Sequence, residues 1–169
     1  MFLDESGCNT DMTRRYAYSL GGSRAVDSAP LSKPKNTTIL SSIQLDGTLR
    51  YTTFSGGTTV ERFKRYLETD LLPHLNGNSV LIMDNMKSHH AKAVRNLLDS
   101  SGVRYIYLPP YSPDLNPIEK LWSKVKAFLR KFKARTLDAL PNAIQCAFQT
   151  VSPSDCSGWF HSCGYSPYF

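Results

Sequence analysis

The sequence predicts an α/β fold in which helices flank a mixed β-sheet. Two observations carry this prediction. Residues 37–55 have the pattern of a β-hairpin, and two short apolar runs after residue 78 alternate with helical patterns. A hairpin pairs its strands antiparallel, whereas strands that alternate with helices pair in parallel, so one sheet is expected to contain both. The composition is that of a globular protein, since 41% of the 169 residues are hydrophobic and 20% are charged.

The first half of the chain contains three predicted strands and one helix. Residues 1–4 are apolar up to an aspartate, which indicates the end of a strand. Residues 37–55 alternate around the Asp-Gly pair at 46–47, a dipeptide typical of hairpin turns. Apolar residues recur every three or four positions over 58–72, and this spacing predicts a helix that Pro73 ends.

The middle of the chain predicts a strand, a helix and a second strand. Residues 79–83, SVLIM, form a continuous apolar run, which is typical of a strand buried on both faces. Helical spacing follows over 90–98 and Gly102 ends it. Residues 103–108 then predict the next strand.

Two further helices are predicted towards the C-terminus. The first covers 117–133 and is clearly amphipathic. The second covers 136–151, with a bend at Pro141. The aromatic segment after Pro153 gives no readable pattern.

The charge of the chain favours a polyanionic partner, since the net charge is +6 and the pI is about 9.2. Basic residues concentrate after Glu119, and no Asp or Glu occurs from there to residue 135. They are Lys120, Lys124, Lys126, Arg130, Lys131, Lys133 and Arg135. Such a run is more often a solvated face; the alternative is a surface that holds a phosphate backbone.

Membrane and disulfide-rich classes are not favoured. No apolar run approaches the ~20 residues that span a bilayer, and the first residues lack a signal-peptide pattern, so no membrane partner and a cytoplasmic location are expected. The four cysteines are scattered, which favours reduced thiols. Cys156, His161 and Cys163 lack the second ligand pair of a zinc motif.

Three carboxylates are candidates for chemistry. Asp4 and Asp84 each follow a predicted strand, and open α/β sheets bind ligands at the carboxyl ends of their strands. Either residue alone is more often a turn or cap residue. Glu119 follows Asn116 by three positions, which is the spacing of a helix capping box and predicts a structural role.

Three segments resemble the catalytic motifs of the insertion-sequence transposases in the mariner superfamily. They are FLDESG at 2–7, LIMDN followed by SHH at 81–90, and LPPYSPDLNPIEKLWSKVK at 108–126. The third is the most specific, because a Pro-rich loop that runs into NPIE and a Trp-containing basic helix is hard to reach by chance. Between Asp84 and Glu119 lie 34 residues, the separation typical of this group's second and third acids. The segments TRRYAY and TLDAL extend the similarity over nearly the whole chain.

The resemblance implies a ribonuclease-H-like fold in which Asp4, Asp84 and Glu119 are catalytic and bind two Mg²⁺ ions, or Mn²⁺ in their place. Water would be the first nucleophile and would cut the DNA at a transposon end. The freed 3′-hydroxyl would then attack target DNA. The chemistry of the residues agrees, since carboxylate oxygens suit Mg²⁺ and two ions can activate the attacking oxygen and stabilise the leaving one. The implied partners are transposon-end and target DNA, with a homodimer assembled on the DNA.

Secondary site residues follow partly from the resemblance and partly from the helical pattern and the basic run. Asn85 and His89 follow the second acid as in the family motif, although a histidine there also suits packing or capping. Asn116 is expected to shape the loop that presents Glu119, and Trp122 is expected to pack in the core. The predicted DNA contacts are Arg14 and Arg15, which resemble a TRR motif of the family, and Lys124, Arg130 and Lys131 on the basic helix.

The expected organisation is a single catalytic domain over 1–169, without the helix-turn-helix recognition modules that members of this family ordinarily carry. Two alternatives to an active transposase domain are left open. One is a folded remnant that binds DNA or partner subunits without turnover, and the other is a stand-alone nuclease or resolvase of the same fold. The three acids favour the active domain, and its expected location is the nucleoid in the cytoplasm.

Overall fold

The computed structural model describes residues 1–14, 16–28, 30–31 and 34–165. Five strands within these residues form one sheet. They are β1 (Phe2–Cys8), β2 (Thr37–Ile43), β3 (Leu49–Ser55), β4 (Val80–Met83) and β5 (Arg104–Tyr107). The order is β3-β2-β1-β4-β5. Pairing is antiparallel from β1 to β2 and from β2 to β3, and parallel from β1 to β4 and from β4 to β5, so the predicted mixed sheet is confirmed.

The described part of the chain contains five α-helices. They are α1 (Val60–Tyr66), α2 (Lys92–Ser101), α3 (Ile118–Phe132), α4 (Ala139–Gln149) and α5 (Pro153–Ser162). A π-helical turn and a 3₁₀ turn extend α1 to His74, so Pro73 lies inside the last turn rather than after it. Gly102 ends α2 as predicted, in the left-handed conformation with φ +70° that glycine adopts without strain. None of these helices is both long and apolar enough to cross a bilayer.

The helices cover both faces of the sheet because consecutive strand residues point to opposite sides. On β1, Phe2 packs with α3, α4 and α5, whereas Leu3 packs with α1 and α2. On β2, Ile39 packs in the same core as Phe2, and Leu40 packs in the same core as Leu3. The result is a three-layer arrangement with one apolar core on each side of the sheet.

The register of the two central strands places the first two acids side by side. The last parallel pair joins Leu3 to Met83, and Asp4 and Asp84 are the residues that follow on each strand. The expectation that Asp4 ends its strand is wrong, because β1 continues to Cys8 by pairing with β2 alone. Asp4 nevertheless lies at the edge of the sheet where β4 ends, beside Asp84.

The helix α5 was not predicted. Its N-terminus has a capping box in which the Ser152 hydroxyl accepts from the Asp155 N–H and the Asp155 carboxylate accepts from Ser152. The side chains of Cys156 and Phe160 are buried, and Phe160 meets Phe2 edge to face at 5.4 Å between ring centres. The helix therefore closes the core on the α3 side of β1.

Candidate active site

An open pocket of about 400 Å³ lies beside the end of β4 and is lined by all three predicted catalytic acids, Asp4, Asp84 and Glu119. Asn85 and Asn116 also line it, and the loop at 108–113 forms much of the remaining wall. Three separate parts of the chain meet here: strand β1, the end of strand β4 and the start of helix α3.

Asp4 is held in a buried position by hydrogen bonds to both carboxylate oxygens. Its side chain is 6% exposed. Oδ1 accepts from the backbone N–H of Glu5 at 2.7 Å, and Oδ2 accepts from the indole Nε1–H of Trp122 at 3.1 Å. Burial raises the pKa of Asp4 to about 7; the two hydrogen bonds oppose this, and the nearby carboxylates of Asp84 and Glu119 add to it. The carboxylate is thus oriented, but it is costly to ionise without a cation.

Asp84 is supported from behind the pocket by His89. The Asp84 Oδ1 lies 2.7 Å from His89 Nδ1 and accepts from the Met86 N–H at 3.2 Å. His89 is fully buried and stacks on Phe63 at 4.2 Å between ring centres. Burial alone disfavours the imidazolium, but hydrogen bonds to Asp84 and Glu5 outweigh this and raise the pKa of His89 to about 10. His89 is therefore positively charged at neutral pH and does not line the pocket.

The expected capping box at the start of α3 does not form, which leaves Asn116 and Glu119 free for another role. Helix α3 begins at Ile118, its N-cap is Pro117, and no side chain caps it. Asn116 instead ends the 3₁₀ turn Pro113–Leu115 in an extended conformation. Its side chain is buried, and its Oδ1 has no hydrogen-bond partner among the described residues. The unpartnered oxygen belongs to a residue of the pocket wall.

Asn85 also lines the pocket, but its side-chain oxygen is engaged. Asn85 Oδ1 is hydrogen-bonded to His90 Nε2. The His90 ring packs against Tyr107 at 4.0 Å between ring centres. These contacts fix the conformation of the segment that follows Asp84.

The donor set of the pocket fits a hard divalent cation. It consists of three carboxylates and the unpartnered amide oxygen of Asn116, and Mg²⁺ and Mn²⁺ prefer such oxygen ligands. In the described residues, however, no three His, Cys, Asp or Glu side chains lie close enough together to hold one ion. Like-charged carboxylates repel one another, which opposes tighter convergence in the absence of a cation.

Comparison with known proteins places this arrangement in a family. The family model described as DDE superfamily endonuclease matches residues 1–141. The chain belongs to the DDE superfamily endonucleases. It is 29% identical over 97 residues to the Tc1 transposase of the transposable element Tc1 in Caenorhabditis elegans, a match that covers 55% of this chain and 36% of the relative.

Solved structures of Mos1 transposase share the fold of this chain. A Mos1 paired-end complex with the left transposon end superposes with a TM-score of 0.80 at 20% identity, covering 96% of this chain and 51% of that chain. A Mos1 catalytic domain with raltegravir and Mg gives a TM-score of 0.68 at 17% identity and covers 99% and 85%. The predicted ribonuclease-H-like fold and the resemblance to mariner-type transposases are confirmed. The chain spans about half of the full Mos1 chain and about a third of Tc1 transposase.

The predicted DNA-contact residues lie in different surroundings. Arg14 and Lys131 line one shallow surface pocket, and Arg130 lines another with Lys126. Lys124 instead donates to the Asp155 carboxylate at 2.6 Å and so helps to hold the start of α5. Arg15 lies outside the described residues.

Two residues that support the acids were not predicted from the sequence to do so. Trp122 is buried in the core as predicted, but its bond to Asp4 joins positions 118 residues apart, and no local pattern reports such a contact. Glu5 follows Asp4 directly, so its side chain leaves the strand on the opposite face, away from the pocket. Strand alternation predicts this orientation of Glu5. It does not predict the partner of Glu5, His89, which is 84 residues away in the sequence.

Proposed function

We propose that this chain is the catalytic domain of a transposase that cuts DNA at transposon ends and joins the freed ends to target DNA. The observation that carries the proposal is that Asp4, Asp84 and Glu119 line one pocket. Membership of the DDE endonucleases fits the same chemistry. A stand-alone nuclease would use the same acids, but the similarity to Tc1 transposase favours transposition.

The proposed cofactors are two Mg²⁺ ions, for which Mn²⁺ would substitute. Asp4, Asp84 and Glu119 would hold them, with the Asn116 amide oxygen as a further donor. Structures of Mos1 transposase contain Mg or Mn, which supports this choice of metals. When bound, such ions activate the attacking oxygen and stabilise the leaving oxygen of an in-line displacement.

The protein's own residues would orient the ligands and adjust their charge. Trp122 and the Glu5 N–H hold both oxygens of Asp4, so this carboxylate needs little reorganisation to become a ligand. Because burial raises the pKa of Asp4 to about 7, the metal-free protein holds a proton there more readily than an exposed aspartate does. Asp4 would release that proton as it becomes a ligand.

DNA is the proposed partner, and the basic residues near α3 are its proposed contacts. Arg14, Arg130 and Lys131 lie on surfaces with further basic side chains, and Arg15 follows Arg14 in the chain. Phosphate contacts of this kind position DNA without reading its sequence. A homodimer on paired ends is proposed as well, since Mos1 transposase is found in a paired-end complex.

Metal binding tests the proposal through thermal stability. Mg²⁺, Mn²⁺ and Ca²⁺ should each raise the melting temperature, because a cation relieves the repulsion among the acids. Glu119→Gln should reduce this rise, because it removes one of the three proposed carboxylate ligands. Glu119 is exposed at the start of α3, so its replacement leaves the packing intact. Asp84→Asn should do the same, but it also removes the charged partner of His89. Asp114→Asn is the matched control, because Asp114 is exposed in the 3₁₀ turn that precedes α3 and does not line the pocket.

DNA cleavage separates an active domain from a remnant without turnover. Mg²⁺ or Mn²⁺ should support cutting of end-bearing duplexes by the wild type, whereas Ca²⁺ should support binding only. Metal binding without any cutting would identify the non-transposing remnant. An equal metal-induced rise in wild type and Glu119→Gln would place the ions elsewhere and overturn the proposal.

A further inference from the structure

A chain of three charged side chains runs behind the pocket. Glu5 Oε2 lies 3.1 Å from His89 Nε2, and His89 Nδ1 lies 2.7 Å from Asp84 Oδ1. The exposed side-chain fractions are 9% for Glu5, 0% for His89 and 34% for Asp84. The chain thus begins in the interior of the protein and ends at the pocket.

The fold fixes the His89 link of this chain on several sides. Phe63 of α1 stacks against the His89 ring with the planes 24° apart. The Tyr107 hydroxyl donates to the His89 carbonyl oxygen at 2.9 Å. The ring therefore has little freedom to turn, and both of its nitrogens lie within hydrogen-bond distance of a carboxylate.

We propose that Glu5 is a positioning residue that acts through His89 to hold the Asp84 carboxylate in the orientation that a divalent ion requires. The inference rests on the proposed metal site. His89 and the Met86 N–H both meet Oδ1 of Asp84, so Oδ2 is the oxygen left for a cation. The Glu5 carboxylate holds the imidazole from its other side. Residues that hydrogen-bond to a metal ligand commonly orient that ligand in this way.

The surroundings of Glu5 argue against a role in stability alone. Glu5 Oε1 is buried and has no hydrogen-bond partner among the described residues, which is an unfavourable arrangement for a carboxylate. Buried ion pairs add little to stability compared with apolar side chains of the same size. An apolar residue would fill this place on β1 at lower cost, so orientation of Asp84 accounts better for a glutamate there.

A mutant cycle with Mn²⁺ titration tests the inference on the full 169-residue chain. The variants are Glu5→Gln, His89→Phe, which keeps the stacking on Phe63, and the double variant. Glu5→Gln should weaken Mn²⁺ binding, measured by calorimetry, by about 10-fold or more. The double variant should bind no more weakly than His89→Phe alone, because Glu5 acts through His89. Glu68→Gln is the control, since Glu68 is a half-exposed carboxylate paired with Lys64 on the outer surface.

Each alternative outcome has a distinct meaning. A lower melting temperature with unchanged Mn²⁺ affinity in Glu5→Gln would overturn the inference and leave Glu5 with a structural role. Additive losses in the double variant would also overturn it, since Glu5 would then act by its charge alone. Glu5→Met, of similar size, replaces Glu5→Gln if that variant does not fold, with the same loss expected. Wild-type protein that binds no Mn²⁺ would overturn the proposed metal site itself, and the inference with it.

Discussion

Replacement of Asp4 by asparagine measures the cost of an ionised Asp4 in the metal-free protein. Burial raises the pKa of Asp4 from 3.8 to about 7. An acid with a raised pKa binds its proton more tightly in the folded than in the unfolded chain, so it lowers stability as pH rises from about 3.8, and the loss levels off above about 7. Asparagine does not ionise, so the Asp4→Asn variant avoids this loss.

The expected magnitude follows from the two pKa values. The difference between about 7 and 3.8 is worth roughly 4 kcal/mol when fully expressed. Roughly 2 to 3 kcal/mol of it develops between pH 5 and pH 8. Asparagine has one acceptor oxygen where Asp4 uses two, for Trp122 and the Glu5 N–H, which costs about 1 kcal/mol at any pH. The variant should therefore match the wild type near pH 5 and exceed it at pH 8.

Thermal unfolding in EDTA from pH 5 to pH 8 checks this expectation. The melting temperature of Asp4→Asn minus that of the wild type should grow by about 5 to 10 °C over this range. Excess Mg²⁺ at pH 8 should reverse the order, because only the wild type has the complete set of acids. Asp114→Asn, an exposed change of the same kind, should show no such trend. A difference that stays constant from pH 5 to pH 8 would show that Asp4 does not have a raised pKa in the folded protein.

Two further predictions concern charge. The His89 ring should remain an imidazolium at pH 8, since its pKa is raised to about 10. Its contribution to stability should be complete below about pH 6.5 and should be lost as pH rises through about 10. Ring NMR signals of His89 that titrate near pH 6.5 would contradict this. Joint replacement of Lys126, Arg130 and Lys131 by Ala should flatten the dependence of log affinity for DNA on log salt by roughly 0.9 for each phosphate that these side chains neutralise in the wild type. A Lys64→Ala control should keep the wild-type slope, and equal slopes for all three proteins would indicate a merely solvated face.

Patterns along the chain predicted the sheet and most helices because each element has its own hydrophobic period. The hairpin at 37–55 and the run at 79–83 appear within one residue of the strands β2, β3 and β4. The helix α5 was missed because its apolar residues are few and a glycine lies among them, although Ser152 and Asp155 had the spacing of a capping box. One contact that holds it, Phe160 against Phe2, joins residues near opposite ends of the chain.

The predicted acids depended on a motif resemblance, and their surroundings depended on the fold. Asp4 and Asp84 lie together because of the register between Leu3 and Met83, which no local pattern specifies. The capping box predicted at Glu119 does not form because α3 begins at Ile118, so that Pro117 and not Asn116 is the N-cap residue. The spacing alone could not separate a capping glutamate from one that faces a pocket.

A crystal structure of the chain with Mn²⁺, with anomalous data collected at the manganese edge, tests the central claim most directly. We expect anomalous peaks in the pocket, with oxygens of Asp4, Asp84 and Glu119 as ligands at about 2.0 to 2.2 Å, close to the distances typical of Mg²⁺. Glu119→Gln crystals grown in the same way should lose at least one peak. Manganese bound away from these three carboxylates, or an empty pocket at saturating Mn²⁺, would contradict the proposed metal site.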